Sequence, residues 1–285
     1  MLAFYIAYPF LFVISKLSFT VLYEVSDFLY LILYKLIKYR KKVVFENLRK
    51  SFPTKTELEI REIAEKFYRY LCDIILETLR KISMTKAESN ALVKFHLTPE
   101  LERLVKDKRS LILLMGHYGN WELAGSSFTL NANIQLQVIY KTLSNPFFED
   151  WMKKSRTMFG TKITKMENTL REMVASRNEP VAYAFIADQT PAPPAPYWLN
   201  FLNQDTDVFT GAEKLARKFN YPVFFINISR VKRGQYEIFN ELMFENPKET
   251  SENEITETYF KRLQTEIELM PETWLWSHRR WKHRR

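Results

Sequence analysis

The sequence contains few of the residues on which several common kinds of site depend. It has 6 glycines and a single cysteine, Cys72, among its 285 residues. One cysteine excludes an internal disulfide and any cysteine-rich zinc site. With so few glycines, the chain offers little material for a glycine-rich nucleotide-binding loop. Cys72 lies among apolar residues with helical spacing, and we predict that it is a small residue of the core.

Apolar, aromatic and basic residues are abundant. Hydrophobic residues make up 46% and charged residues 26% of the chain, which allows a full core and excludes a disordered protein. Aromatic residues reach 15%, and tyrosine and tryptophan favour membrane interfaces as well as cores. The formal charge of +9 fits nucleic acid, an anionic membrane face or an acidic protein partner, so that charge alone does not choose among them.

Residues 2–15 carry no charge, and apart from Lys16 the basic residues come late, in the segment 35–42. This order is unlike that of a signal peptide, in which basic residues precede the apolar stretch. As a helix, residues 2–23 are long enough to cross a hydrocarbon core if Lys16 reaches an interface. We predict a membrane anchor over residues 1–34, either as one span or as a helix lying in the interface; a buried core helix is the alternative. The basic residues favour the cytoplasmic side for everything that follows.

Strand and helix patterns alternate along residues 35–285. Short apolar runs predict buried strands, and apolar residues at intervals of three and four predict helices with one buried face. The alternation favours a single α/β domain, with a largely buried mixed sheet flanked by helices. Strands are predicted at 110–115, 135–140, 181–187, 223–229 and 235–239, and helices at 57–82, 98–106, 120–130, 146–159, 210–219 and 256–269.

A histidine and a glutamate stand at the end of the first predicted strand. His117 follows the strand in a loop, and Glu122 falls in the first turn of the next helix, a corner at which α/β enzymes commonly expose reactive groups. On one continuous helix a five-residue offset would place the two side chains about 140° apart, so the loop must fold back for them to meet. Gly116 and Gly119 supply the backbone freedom for this, and Asn120 can cap the helix.

A carboxylate beside an imidazole fixes its tautomer and stabilises the imidazolium that forms during proton abstraction. Such a pair suits a base that removes the proton of an attacking alcohol. We therefore predict that His117 is a general base and that Glu122 is its partner. The alternative is a loop histidine whose nitrogens are bonded by backbone groups.

Several segments resemble the late acyltransferases of lipid A biosynthesis, a branch of the lysophospholipid acyltransferase superfamily. GHYGNWE, residues 116–122, resembles the His-x4-Asp/Glu motif that the whole superfamily shares. The other likenesses run in order along nearly the whole chain: YRKKVVFENLRKSFP (39–53), YKTLSNPFFE (140–149), RTMFG (156–160), ADQTP (187–191), TGAEKLARKFNYPV (210–223) and PETWLWSHRRWK (271–282). The first and last of these are more specific to the branch than the histidine motif.

The resemblance implies an enzyme on the cytoplasmic face of the inner (plasma) membrane, with no cofactor and no metal. It would transfer a fatty acyl chain from acyl carrier protein to a hydroxyl of a lipid A precursor. His117 would deprotonate that hydroxyl while Glu122 orients His117. Arg156 would stabilise negative charge on a thioester oxygen or a phosphate, and Asp188 would orient Arg156 or other groups of the site. The candidate substrate-binding residues are Asn120, Lys141, Thr210 and Gly211.

Plainer alternatives accompany these predictions. Arg156 would otherwise lie on a solvated helix face, and Asp188 would cap a turn. Lys141 stands where many family members carry arginine, and this departure weakens the case that it binds a lipid phosphate. The enzyme would otherwise act on another glycolipid or a lysophospholipid, or the chain would be a non-catalytic, membrane-anchored lipid-binding protein. The basic tail from His278 onwards has the composition of a nucleic-acid contact, but beside a membrane anchor, anionic headgroups or the acidic carrier protein fit better.

Overall fold

The computed structural model describes residues 9–192 and 197–283, and its amino-terminal part is helical. After a first helical stretch, the side chain of Ser18 accepts a hydrogen bond from the backbone of Val21 and so caps helix α1, Phe19–Tyr30. A π-helical segment, Leu31–Leu36, extends α1.

The single helix expected over residues 2–23 is interrupted. Residues 9–14 are helical, the chain turns at residues 15–17, and Ser18 caps the start of a new helix. The first eight residues of the expected anchor lie outside the described residues. Within the part that is described, no helix combines the length and apolar character needed to cross a bilayer. The division into an anchor over 1–34 and a domain over 35–285 stays a prediction.

Seven strands form one sheet: β1 Val93–His96, β2 Leu111–Met115, β3 Gln135–Tyr140, β4 Lys162–Lys165, β5 Val181–Ile186, β8 Val223–Lys232 and β9 Gln235–Phe244. Two more, β6 Tyr197–Phe201 and β7 Gln204–Val208, form a separate antiparallel hairpin. The order in the sheet is β1-β9-β8-β2-β5-β3-β4. Strands β8 and β9 are antiparallel, and every other neighbouring pair is parallel. The predicted α/β fold with a mixed sheet is therefore confirmed.

The sheet separates two hydrophobic cores. Ile112 and Leu114 of β2 face one core, whereas Leu111 and Leu113 face the other, as expected for a strand whose side chains alternate between two covered faces. The flanking helices are α2 Lys41–Ser51, α3 Glu57–Lys81, α4 Lys86–Leu92, α5 Pro99–Lys106, α6 Trp121–Asn131, α7 Pro146–Thr157, α8 Thr169–Ala175, α9 Gly211–Phe219 and α10 Glu254–Leu269.

Helix α3 is the longest described helix and organises the amino-terminal side of the molecule. It is capped by Thr56, in a capping box that Glu59 completes. Cys72, in its middle, is fully buried, which confirms it as a core residue.

Helix α1 is joined to the rest of the domain by ion pairs and a hydrogen bond that meet at the buried Asp73. Arg233, between β8 and β9, donates from Nη1 to Asp27 of α1 at 2.9 Å and from Nη2 to Asp73 of α3 at 2.7 Å. Ser26 of α1 donates to the same Asp73 carboxylate at 2.6 Å. Because Asp73 is buried, these contacts hold three distant parts of the chain together.

Candidate active site

The loop between β2 and α6 carries His117 and requires a glycine to turn. Gly119 has a φ of +60°, and a Cβ at this position would stand 2.3 Å from the carbonyl oxygen of Ile228. Only glycine avoids both the backbone strain and the clash. Asn120 ends the loop, and its Oδ1 accepts a hydrogen bond from the backbone of Leu123 at 3.0 Å, so it caps α6 as predicted.

Asp188 holds the imidazole of His117. The Nδ1 of His117 lies 2.6 Å from Oδ1 of Asp188, and the backbone N–H of His117 donates to Oδ2 at 2.8 Å. Trp274 donates its indole N–H to the same Oδ2, also at 2.8 Å. Strands β2 and β5 are parallel neighbours, and Met115 is paired with Ile186. The residues two positions further on, His117 and Asp188, therefore leave the sheet side by side.

The charge of Asp188 fixes the tautomer of His117. Burial alone would raise the pKa of Asp188, but the His117 ring and the N–H donors lower it to about 2. Asp188 is consequently a carboxylate at neutral pH, and Nδ1 of His117 is the nitrogen that carries the proton. The lone pair is left on Nε2, where the side-chain amide nitrogen of Gln189 lies 3.2 Å away. This is the arrangement of a base that is ready to accept a proton at Nε2.

Glu122 pairs with Arg156 and not with the His117 ring. Arg156 donates from Nη2 to Oε1 of Glu122 at 2.6 Å, and its Nε lies 3.2 and 3.3 Å from the two carboxylate oxygens. Lys81, the last residue of α3, donates to the backbone carbonyl of Glu122 at 2.7 Å and lies 4.0 Å from its Oε2.

These contacts correct one prediction and narrow another. Asp188, rather than Glu122, is the carboxylate that touches the imidazole, because the neighbouring strand brings it there while the first turn of α6 directs Glu122 towards α7. Asp188 was predicted to orient Arg156 or other groups of the site, and the group that it contacts is His117. Arg156 also does not lie on a solvated face, since its side chain is only 22% exposed and is bonded to a buried glutamate.

Glu122, Arg156 and Lys81 form a buried charged cluster next to the histidine. Burial would raise the pKa of Glu122, yet the two cations outweigh it and lower that pKa. Burial lowers the pKa of Lys81 to about 8, an effect that Glu122 partly offsets. With all three groups ionised, one carboxylate lies between two cations and the cluster keeps a net positive charge. Such a cluster can stabilise negative charge that develops nearby during a reaction.

The four candidate substrate-binding residues lie in different surroundings. Asn120 is fully buried, and its amide nitrogen donates to Glu77 at 2.6 Å while its oxygen caps α6, so both ends of the amide are used. Lys141 is exposed directly after β3. Thr210 is buried at the start of α9, and a Cβ on Gly211 would clash with the ring of Phe209. A binding role for these residues stays a prediction.

The chain from Pro271 onwards contributes to the site in a way that the sequence did not indicate. Besides the Trp274 bond to Asp188, the backbone N–H of Leu275 donates to the carbonyl of His117 at 3.1 Å. Arg280, expected in a headgroup-binding tail, is fully buried and donates to Asp207 at 3.1 Å. The tryptophans that stand among these cations in the sequence could have indicated that the segment is buried, because aromatic residues at such spacing also pack against a core.

Among the residues that the structure describes, no group of three or more histidine, cysteine, aspartate or glutamate side chains could hold a metal ion. A family model described as bacterial lipid A biosynthesis acyltransferase matches residues 1–283, and this confirms the resemblance given by the motifs. A search of curated proteins found no match.

Proposed function

The chain belongs to the bacterial lipid A biosynthesis acyltransferase family, and on this premise we propose that it transfers an acyl chain from acyl carrier protein to a hydroxyl of a lipid A precursor. The observation that carries the proposed chemistry is the 2.6 Å contact between Nδ1 of His117 and ionised Asp188, which leaves Nε2 as a base. Nε2 removes the proton of the acceptor hydroxyl as its oxygen attacks the thioester carbonyl. The carbon–sulfur bond then breaks, and the proton passes from His117 to the leaving thiolate.

The cluster of Glu122, Arg156 and Lys81 has an electrostatic role in this proposal. Attack on a thioester gives a tetrahedral intermediate with negative charge on its oxygen, and preorganised cations lower the energy of that charge. Glu122 holds the guanidinium of Arg156 in place through a two-pronged contact. The glutamate of the histidine motif thus acts on the cations rather than on the imidazole.

Membrane association is the next part of the proposal, and the exposed apolar side chains near the amino terminus support it. Phe10, Phe28, Leu36 and Ile37 are each more than 60% exposed. Leu36 and Ile37 lie among the basic residues of the segment 35–42. Apolar side chains flanked by cations suit the interface of an anionic leaflet, such as the cytoplasmic face of the inner membrane.

The variant carrying Phe28→Asp and Leu36→Asp is expected to bind anionic vesicles at least tenfold more weakly, because two charges replace apolar area at the interface. The measurement is co-flotation with vesicles of phosphatidylglycerol and phosphatidylethanolamine. Leu269→Asp, which changes a leucine that is 71% exposed at the end of α10, is the matched control. Equal flotation of all three proteins would refute this membrane contact.

Mass spectrometry of lipid A tests the reaction itself. Cells without the gene are expected to lose one secondary acyl chain, and the wild-type gene should restore it, whereas His117→Ala should not. Unchanged lipid A on deletion would move the acceptor to another glycolipid or a lysophospholipid. Full restoration by His117→Ala would favour the non-catalytic lipid-binding protein instead.

A further inference from the structure

Glu77 of α3 is a fully buried carboxyl group to which the proposed reaction assigns no role. Tyr23 of α1 donates a hydrogen bond to its Oε1 at 2.7 Å. Tyr236 of β9 and Asn120, in the loop between β2 and α6, donate to its Oε2 at 2.7 and 2.6 Å. Burial raises the pKa of Glu77 to about 7, although these three donors lower it. Since burying a carboxylate costs free energy that its hydrogen bonds must offset, the position favours a role in arranging its three partners.

The two tyrosines fix the Glu77 carboxyl group from outside the loop that carries His117. Tyr236 lies in β9, a strand that is paired with a neighbour on both sides. Tyr23 is held against the turn between β8 and β9, where a Cβ on Gly234 would clash with its hydroxyl. Both hydroxyls therefore come from packed parts of the fold. The orientation of Glu77 is consequently set before its contact with the loop is counted.

Glu77 decides which way round the side chain of Asn120 lies. The two ends of an asparagine amide have nearly the same shape, but its oxygen only accepts hydrogen bonds and its nitrogen only donates them. Oε2 of Glu77 is an acceptor, even when a proton is bound at Oε1, so Nδ2 of Asn120 must face it. This leaves Oδ1 to accept the backbone N–H of Leu123 at 3.0 Å, the contact that caps α6. With an apolar side chain at position 77, the amide can turn over and the cap is lost.

The start of α6 carries part of the charged cluster. Glu122 lies in the first turn of this helix, and its carboxylate accepts from Arg156. Lys81, which follows Glu77 by one turn on the same face of α3, donates to the backbone carbonyl of Glu122 at 2.7 Å. Helix α3 therefore holds the start of α6 at two points, through Asn120 and through the backbone of Glu122. Loss of the cap frays the first turn and displaces Glu122 together with the cation that it holds.

We propose that Glu77 is a positioning residue for acyl transfer, which orients the amide of Asn120 and thereby holds the first turn of α6, with Glu122, in place. It acts through Asn120 and does not contact the reacting atoms. Through Tyr23, the same carboxyl group also connects helix α1 to the loop that carries His117. This inference rests on the proposed function, because it names a residue on which the geometry of that site depends.

The first test compares two replacements of Glu77. Glu77→Met has a similar length but no acceptor, and it is expected to lower kcat about 10- to 100-fold, since a displacement of about 1 Å can have an effect of this size. KM for the acceptor and for the thioester should change less than about twofold, because Glu77 contacts neither. Glu77→Gln can place its amide oxygen at the Oε2 position, where it still accepts from Asn120, and should keep kcat within about twofold of the wild type.

Tyr236→Phe is the matched control. It removes a hydrogen bond to the same oxygen of Glu77 but leaves the contact with Asn120, so kcat should stay within about twofold of the wild type. If Glu77→Met does not fold, adding Tyr23→Phe and Tyr236→Phe removes the two hydroxyls that it leaves unpaired, and the same loss of kcat is expected. A wild-type kcat in Glu77→Met, or an equal loss in Tyr236→Phe, would make Glu77 a residue of the core only and would overturn the proposal.

Hydrogen exchange followed by mass spectrometry tests the positioning without the reaction. The N–H of Leu123 should exchange at least about tenfold faster in Glu77→Met, whereas Glu77→Gln and Tyr236→Phe should match the wild type. This result is expected even if the wild-type protein transfers no acyl group, in which case only the proposed reaction fails. Unchanged exchange in Glu77→Met would overturn the positioning role. Faster exchange with an unchanged kcat would overturn its part in catalysis and leave the reaction standing.

Discussion

Replacing Asp188 by asparagine is expected to lower kcat for acyl transfer by about 1,000-fold or more, with little change in the fold. Oδ2 of Asp188 accepts two hydrogen bonds, from the backbone of His117 and the indole of Trp274, whereas Oδ1 faces only Nδ1 of the imidazole. The amide oxygen of asparagine must therefore take the Oδ2 position. Its NH2 group then points at Nδ1 and forces the proton of His117 onto Nε2, where it blocks the base.

The measurement is single-turnover transfer, in which product release does not limit the rate. Asp205→Asn, at an exposed aspartate of the β6–β7 hairpin, is the matched control and should keep the wild-type rate. Circular dichroism verifies that the Asp188 variant is folded. If Asp188→Asn retained more than a tenth of the wild-type rate, then this carboxylate would not be the group that sets the tautomer of His117.

Replacing Glu122 by alanine is expected to lower the free energy of unfolding by about 3–5 kcal/mol, in addition to abolishing most of the transfer. Glu122 is the counter-charge for Arg156 and lies 4.0 Å from buried Lys81. Without it, the buried Lys81 and the mostly buried Arg156 remain as two positive charges without a counter-charge. Removing one partner of a buried ion pair lowers the free energy of unfolding by far more than the intact pair contributes to it, because the remaining charge is left without a partner.

Urea unfolding followed by circular dichroism measures this change. Glu57→Ala, which removes the exposed partner of Arg49, is the matched control and should leave the free energy of unfolding nearly unchanged. Adding Arg156→Met to Glu122→Ala should recover part of the loss, since one unpaired cation is removed. A double variant as unstable as Glu122→Ala alone would argue against charge imbalance as the cause.

Elements with local signals were predictable from the sequence. Strand β3 spans 135–140 as predicted, because in its sequence, QLQVIY, polar and apolar residues alternate over the first four positions, which indicates a strand. Helix α3 begins at residue 57 as predicted, because Thr56 and Glu59 bond to each other three residues apart and cap the helix there. The β6–β7 hairpin was missed, since QDTDV, the sequence of β7, carries none of the apolar alternation that marks a strand.

Contacts between distant residues were not predictable in the same way. Both carboxylates of the site, Glu122 and Asp188, were candidates, but the choice between them depends on the order of the strands. Only because β5 lies beside β2, with Met115 opposite Ile186, does Asp188 come to face His117. Asp207 also reads as a surface charge in the sequence, yet it is buried against Arg280, which lies 73 residues further along the chain.

The ion pair between Asp27 and Arg233 has a consequence for synthesis of the protein. The two residues are 206 positions apart. At an elongation rate of about 5–20 residues per second, the ribosome needs roughly 10–40 seconds to make Arg233 after Asp27 has been joined to the chain. For most of this interval α1 is outside the ribosome while the ion pair that fixes it cannot yet form, and its apolar residues must be covered by something else. A helix that is made early is thus among the last to be fixed, which leaves time for the membrane contact proposed above to form before the chain folds.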